Sequence, residues 1–152
     1  MQVLLKSDTI FENLGVAVMK SKNNYGTMYN IKPKLDLMSN EFVGEYFVFD
    51  GLNNKTFLAI NSNSEMAVAL KKIEQAVSKE NDSFTFKAGK EKLYIRIPDD
   101  MPKNIPKNHN LKIAVNVYGV FVQNGSKTAF LQFELLGYKV YPRVDFDNVV
   151  SQ

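Results

Sequence analysis

Tyrosine recurs beside lysine or arginine at every second position in several parts of the chain. Lys92, Tyr94 and Arg96 stand at i, i+2 and i+4, so a strand over 92–98 turns all three to one face while Leu93, Ile95 and Ile97 turn to the other. Lys112 and Tyr118 share the polar face of a longer run, and Lys139, Tyr141 and Arg143 repeat the spacing farther on. Tyr29, close to Lys32 and Lys34, adds a further pairing. Such a set suits the binding of an unpaired nucleic-acid strand, because each base stacks on an aromatic ring for about 1–3 kcal/mol while cations follow the phosphates. Taken singly, each tyrosine is equally a half-buried ring with its hydroxyl in water, and Lys92 or Lys139 equally a guard on a sheet edge. The expectation rests on the set.

Residues for catalysis are sparse. There is no cysteine, which excludes disulfides, thiolate metal sites and a cysteine nucleophile, and the single histidine, His109, leaves no His cluster for zinc. No phosphate-cradling glycine loop, nucleophile elbow or helical histidine pair is present. Asp99-Asp100 and Asp145-x-Asp147 come nearest to paired carboxylates, and a metal-dependent nuclease would hold Mg²⁺ with them. No third acid or lysine stands at the spacing such a site needs, so loop capping and solubility are the simpler reading. His109 lies in a Pro, Lys and Asn loop with no carboxylate to orient it. The expectation is a protein that is not an enzyme, with no metal and no cofactor.

Strands must position these side chains. The run 111–122 places Leu111, Ile113, Val115, Val117 and Phe121 on one face and Lys112, Asn116 and Tyr118 on the other. Asn124-Gly125 then supplies a turn, and a strand over 128–136 turns Ala129, Leu131, Phe133 and Leu135 away from Phe130, Gln132 and Glu134. After Gly137 a further strand over 138–144 is expected, with Pro142 marking its edge or end. Upstream, 26–37, 41–50 and 56–60 read as a meander, and 84–87 with 92–98 as a hairpin around Ala88-Gly89-Lys90. The segment 64–79 is an amphipathic helix capped by Ser64, its Lys71, Lys72, Glu74 and Lys79 a solvated face. The prolines of 99–110 predict a surface loop.

With 152 residues, 45% of them hydrophobic and 23% charged, the chain has the size and composition of a single domain, 1–152, with one core. Its formal charge of +3 permits a polyanionic partner without demanding one. Residues 1–15 carry Lys6, Asp8 and Glu12 and lack the apolar core of a signal peptide, and no stretch reaches the roughly 20 apolar residues of a membrane span. A cytoplasmic protein with no membrane partner is expected.

The stretch PKNHNLKIAVNVYGVFVQNGSKTAFLQFELLGYKVYP, 106–142, resembles single-stranded DNA-binding proteins of the OB-fold class from bacteriophages and large DNA viruses. FKAGKEKLYIRIP, 86–98, is similar to the hairpin that precedes that loop in such proteins. The resemblance implies a mainly β fold, a small antiparallel barrel of OB type with one inserted helix. It also implies a protein that coats single-stranded DNA in replication or recombination inside a host cell. Contacts would then fall on Tyr29, Lys32, Lys92, Tyr94, Arg96, Lys112, Tyr118, Lys139, Tyr141 and Arg143. Replication proteins are candidate partners, although VDFDNVVSQ at the end carries only Asp145 and Asp147 in place of the acidic tail of many members. A homo-oligomer is compatible with the sequence. The alternatives are a viral structural or interaction β-sandwich whose aromatic face meets protein, and the nuclease above.

Overall fold

Apolar residues at alternate positions can all be buried only if something covers one face of the sheet, and here that cover is a helix. The computed structural model describes residues 2–6, 8–12, 14–81, 83–87 and 91–143, with the backbone alone for 17–21. In chain order the described strands are β1 (Gln2–Leu4), β2 (Gly15–Lys22), β3 (Gly26–Met38), β4 (Tyr46–Asp50), β5 (Thr56–Asn61), β6 (Thr85–Phe86), β7 (Lys92–Ile97), β8 (Asn110–Gln123) and β9 (Thr128–Tyr141). The helix α1 (Glu65–Glu80) lies between β5 and β6 in the chain.

The sheet runs β1-β3-β8-β9-β7-β5-β4, with β2 on the first half of β3 and β6 on the start of β9. It is mixed: β1 with β3, β6 with β9 and β7 with β9 are parallel, the rest antiparallel. The fold is thus mainly β with one helix, and the sheet is open, β1 and β4 standing at its opposite ends. Of the expected meander only β4 and β5 pair directly, since β3 pairs with β8. No hairpin forms from 84–98: β6 pairs with β9, β7 with β5 and β9, and 88–90 lie outside the described residues.

Ser64 starts the helix as its sequence predicts, its hydroxyl accepting from the Ala67 amide at 3.3 Å. Glu65 in the first turn accepts from the amides of Asn40 and Glu41 at 2.8 and 3.0 Å, which fastens the β3–β4 connection to the helix start. The helix buries Met66, Leu70, Ile73 and Val77 against Leu37, Leu58, Ile60, Ile95, Ile97, Val115 and Leu135 in one cluster. Each such side chain contributes about 1.5–3 kcal/mol.

Two irregularities set which residues face outward. At Tyr118 the register of β8 slips against both neighbours: Val117 opposes Phe133 and Gly119 opposes Gln132, while on β3 the four residues 31–34 fall between the partners of Val117 and Gly119. Beyond the bulge the phase reverses, so Val120 and Val122 are buried, and Phe121 pairs with Phe130 rather than joining the core row as simple alternation expects. The other irregularity leaves Leu136 unpaired and lets β9 continue through Gly137 to Tyr141, where the sequence suggests two strands. Val144 lies outside the described residues.

Candidate nucleic-acid interface

Alternation that sends Leu93, Ile95 and Ile97 toward the helix sends Lys92, Tyr94 and Arg96 to the face the helix leaves open. Register then extends this face across the sheet in one row. Phe49 opposes Phe57, Phe57 opposes Arg96, Arg96 opposes Glu134, Glu134 opposes Asn116, and Asn116 opposes Asp36. In the next row Phe47, Ala59 and Tyr94 are partners. Tyr94 is 42% exposed and Phe49 45%, their ring centroids 5.7 Å apart at an interplanar angle of 58°. This is an aromatic patch in which the small Ala59 leaves room for the flanking rings.

Tyr118 belongs to the same neighbourhood. Burial pushes its hydroxyl above the ordinary tyrosine range, the Glu134 carboxylate adds to that, and the Arg96 guanidinium opposes it. Arg96 is itself held, its Nη2 on Asp99 Oδ1 at 3.2 Å and its Nε donating to the Ile97 carbonyl at 3.2 Å. Lys92 donates from Nζ to Asn61 Oδ1 at 2.6 Å. The cations of this patch are therefore oriented by protein partners, and two carboxylates, Glu134 and Asp36, share the face with them. Asp36 accepts from Asn116 Nδ2 at 2.6 Å.

Toward the far ends of β8 and β9 lies a second cluster. Lys112 and Lys139 are direct cross-strand partners, an arrangement of like charges that costs stability by itself. Aromatic rings surround them: Lys112 Nζ sits 5.5 Å from the Phe42 centroid and 5.8 Å from that of Tyr141, and Lys139 Nζ 5.2 Å from Tyr141. Phe42, 44% exposed, meets Tyr141 edge-on at 5.4 Å. The ring faces offset part of the repulsion, and an anion between the ammonium groups would remove the rest.

Not every expected residue joins these patches. Tyr29 turns to the helix side, where it meets Phe84 at 5.5 Å and packs on the core. The register reversal explains it: Tyr29 is the partner of Val120, which is buried. Lys32 is exposed in the part of β3 that bulges opposite Tyr118, outside the rows described above. Arg143 is exposed just beyond the end of β9. The rings the sequence reading missed are Phe47, Phe49 and Phe57, whose alternation with Tyr46, Val48 and Leu58 was the available signal, and Phe42, which sits in a connection and gave none.

Of the acidic residues a nuclease would use, only Asp99 and Asp100 fall among the described residues. Asp99 Oδ1 is engaged by Arg96 and by Lys103 at 3.6 Å, Asp145 and Asp147 lie outside the described residues, and no group of three metal-ligating side chains occurs among the described ones. His109 Nδ1 meets the Lys107 carbonyl at 2.7 Å, a local loop contact. No described helix is long and apolar enough to cross a membrane. The chain matches no family model, and neither the curated proteins nor the solved structures give a match to it.

Proposed function

We propose that the open face of the sheet binds single-stranded DNA by base stacking and phosphate contacts, and that the protein acts without catalysis. The observation that carries the reading is the cluster of Lys112 and Lys139 opposed across β8 and β9 and ringed by Phe42 and Tyr141. Two ammonium groups on aromatic faces offer one phosphate and its neighbouring base what each requires. Tyr94, Phe49 and Tyr118 supply further stacking surfaces on the same side. Coating of single strands in replication or recombination, in the manner of the viral and phage OB-fold class, is the role that follows. The OB type enters this proposal as a kind of oligonucleotide-binding sheet surface, separately from barrel closure.

The chain has seven tyrosines and no tryptophan, so tyrosine fluorescence reports directly on stacking. Titration with oligothymidylate quenches it, and a double-stranded oligonucleotide of the same length does so far less. Tyr94→Ala and Tyr118→Ala each weaken binding about 5- to 150-fold, the equivalent of ~1–3 kcal/mol per lost stack. Unchanged affinity in both variants would refute the assignment of the face.

A second reading is favoured by the carboxylates of Glu134 and Asp36 in the middle of that face, which repel a polyanion and suit a protein partner. In that case the aromatic surface meets protein, as in a viral structural or interaction domain. Self-association in sedimentation without nucleic acid, together with no shift of an oligonucleotide in a gel, distinguishes it.

A further inference from the structure

Between α1 and the start of β7 a cleft of about 200 Å³ opens, and Lys92, the first residue of β7, borders it from the face that also carries Tyr94. Leu70, Leu93 and Phe133 form an apolar floor, and Lys71, Lys87 and Lys92 stand around it with Glu74. The lysines come from three separate elements: α1, the segment after β6, and β7. None of them forms an ion pair among the described residues, and Lys92 donates to the neutral amide of Asn61. Three lysines thus border a partly apolar concavity that a single carboxyl also lines. That carboxyl carries only part of a charge at neutral pH and loses it below, since burial pushes Glu74 up to about 7 against the opposing pull of Lys71. When protonated it is a hydrogen-bond donor, so below about pH 7 every titratable group that lines the cleft is either cationic or a donor.

We propose that this cleft binds a phosphomonoester joined to a flat ring, the chemistry of a single nucleotide, with the lysines on the phosphate and the ring over Leu93 and Phe133. The apolar floor is what separates this ligand from inorganic phosphate. A space of this size is below the range usual for larger organic ligands and suits one ring system with its charged group at the rim. The phosphate can belong to a free nucleotide or to the 5′ end of a DNA strand. The inference does not depend on the open face being a DNA surface.

The test is calorimetric titration of the full chain with thymidine 5′-monophosphate, with thymidine, and with inorganic phosphate. One site is expected for the nucleotide, with both fragments weaker by about tenfold or more. The double substitution Lys71→Gln, Lys87→Gln alters two exposed side chains and leaves the circular dichroism spectrum unchanged, yet lowers nucleotide affinity about tenfold or more. Glu74→Gln isolates the carboxyl from the ligand's own titration: the variant and the parent bind equally at pH 6, and the variant binds about fivefold tighter at pH 8. Tyr94→Ala leaves nucleotide binding as it was, which keeps this result apart from any failure of the open face to bind DNA. If a 5′-phosphorylated oligothymidylate binds tighter than its unphosphorylated form, and the double variant abolishes the difference, a strand end is the source. If the free nucleotide binds and that difference is nil, the source is the free nucleotide. Absence of nucleotide binding, inorganic phosphate binding as tightly as the nucleotide, or full affinity in the folded double variant would each overturn the proposal.

Discussion

Glu74 shows how far one side chain's surroundings depart from its place in a helical pattern. From spacing alone it belongs with Lys71, Lys72 and Lys79 on a solvated face, but it is partly buried at the edge of a cleft, and that burial desolvates the carboxyl, raising it from 4.5 to about 7. The folded state therefore holds a proton that the unfolded chain has already released, and stability falls as pH rises from about 4.5 to about 7. The group is partly solvated, so solvent screening reduces the loss to on the order of 1 kcal/mol. Glu74→Gln should match the parent in urea unfolding near pH 4 and exceed it by that amount at pH 8; parallel curves at both pH values would show that burial does not act on this carboxyl. Lys92, Tyr94 and Arg96, by contrast, were legible, because on a short strand without a bulge a two-residue period carries directly into a shared face. What the period left out is their partners: Asp99 and Asn61, which hold Arg96 and Lys92, are distant from any alternation rule.

Strands and helix differ in how much of themselves they announce. The helix was readable from Ser64 to its last turn, since capping and a 3.6-residue period are local. The long strands were readable only as far as their first irregularity. At Tyr118 the bulge advances β8 by one residue, sends Phe121 to the side of Phe130, and turns Tyr29 inward opposite Val120. Gly119 makes that bulge possible, for a Cβ there would lie 2.6 Å from the Tyr29 carbonyl oxygen. Gly119→Ala must push β3 away from β8 and should cost about 1–3 kcal/mol in chemical denaturation, with the tyrosine environment of position 118 altered as well. A variant as stable as the parent would mean that the two strands are not held this close. The failed hairpin of 84–98 has a different cause. Turn-forming residues fix where a chain can reverse, whereas β6 and β7 pair with strands far from them in sequence.

At the scale of the whole molecule, strand order is what alternation cannot supply, and strand order is what makes one surface from scattered residues. β7 reaches β8 only through β9, which brings Arg96, Glu134 and Asn116 into line although β7 precedes the β8–β9 hairpin and is not its neighbour through any turn. The same order separates the two aromatic patches along β8. Six residue steps lie between Lys112 and Tyr118, about 20 Å at the rise of an extended strand. A stacked single strand covers that distance in about six nucleotides, taking 3.4 Å per phosphate. Oligothymidylates of about four nucleotides should then occupy one patch at a time, and those of about eight or more should bind both, with a step in affinity between them. Salt reports on the same geometry. Each phosphate neutralised contributes about −0.7 to the slope of log affinity against log salt, so Lys112→Gln, Lys139→Gln, which removes the pair that holds one phosphate, should make the slope of the longer ligand shallower by about 0.7. The short ligand should change less, because it retains the alternative of the Tyr94 patch. A smooth dependence on length, with the same salt slope before and after the substitutions, would mean that no single strand connects the two ends of this face.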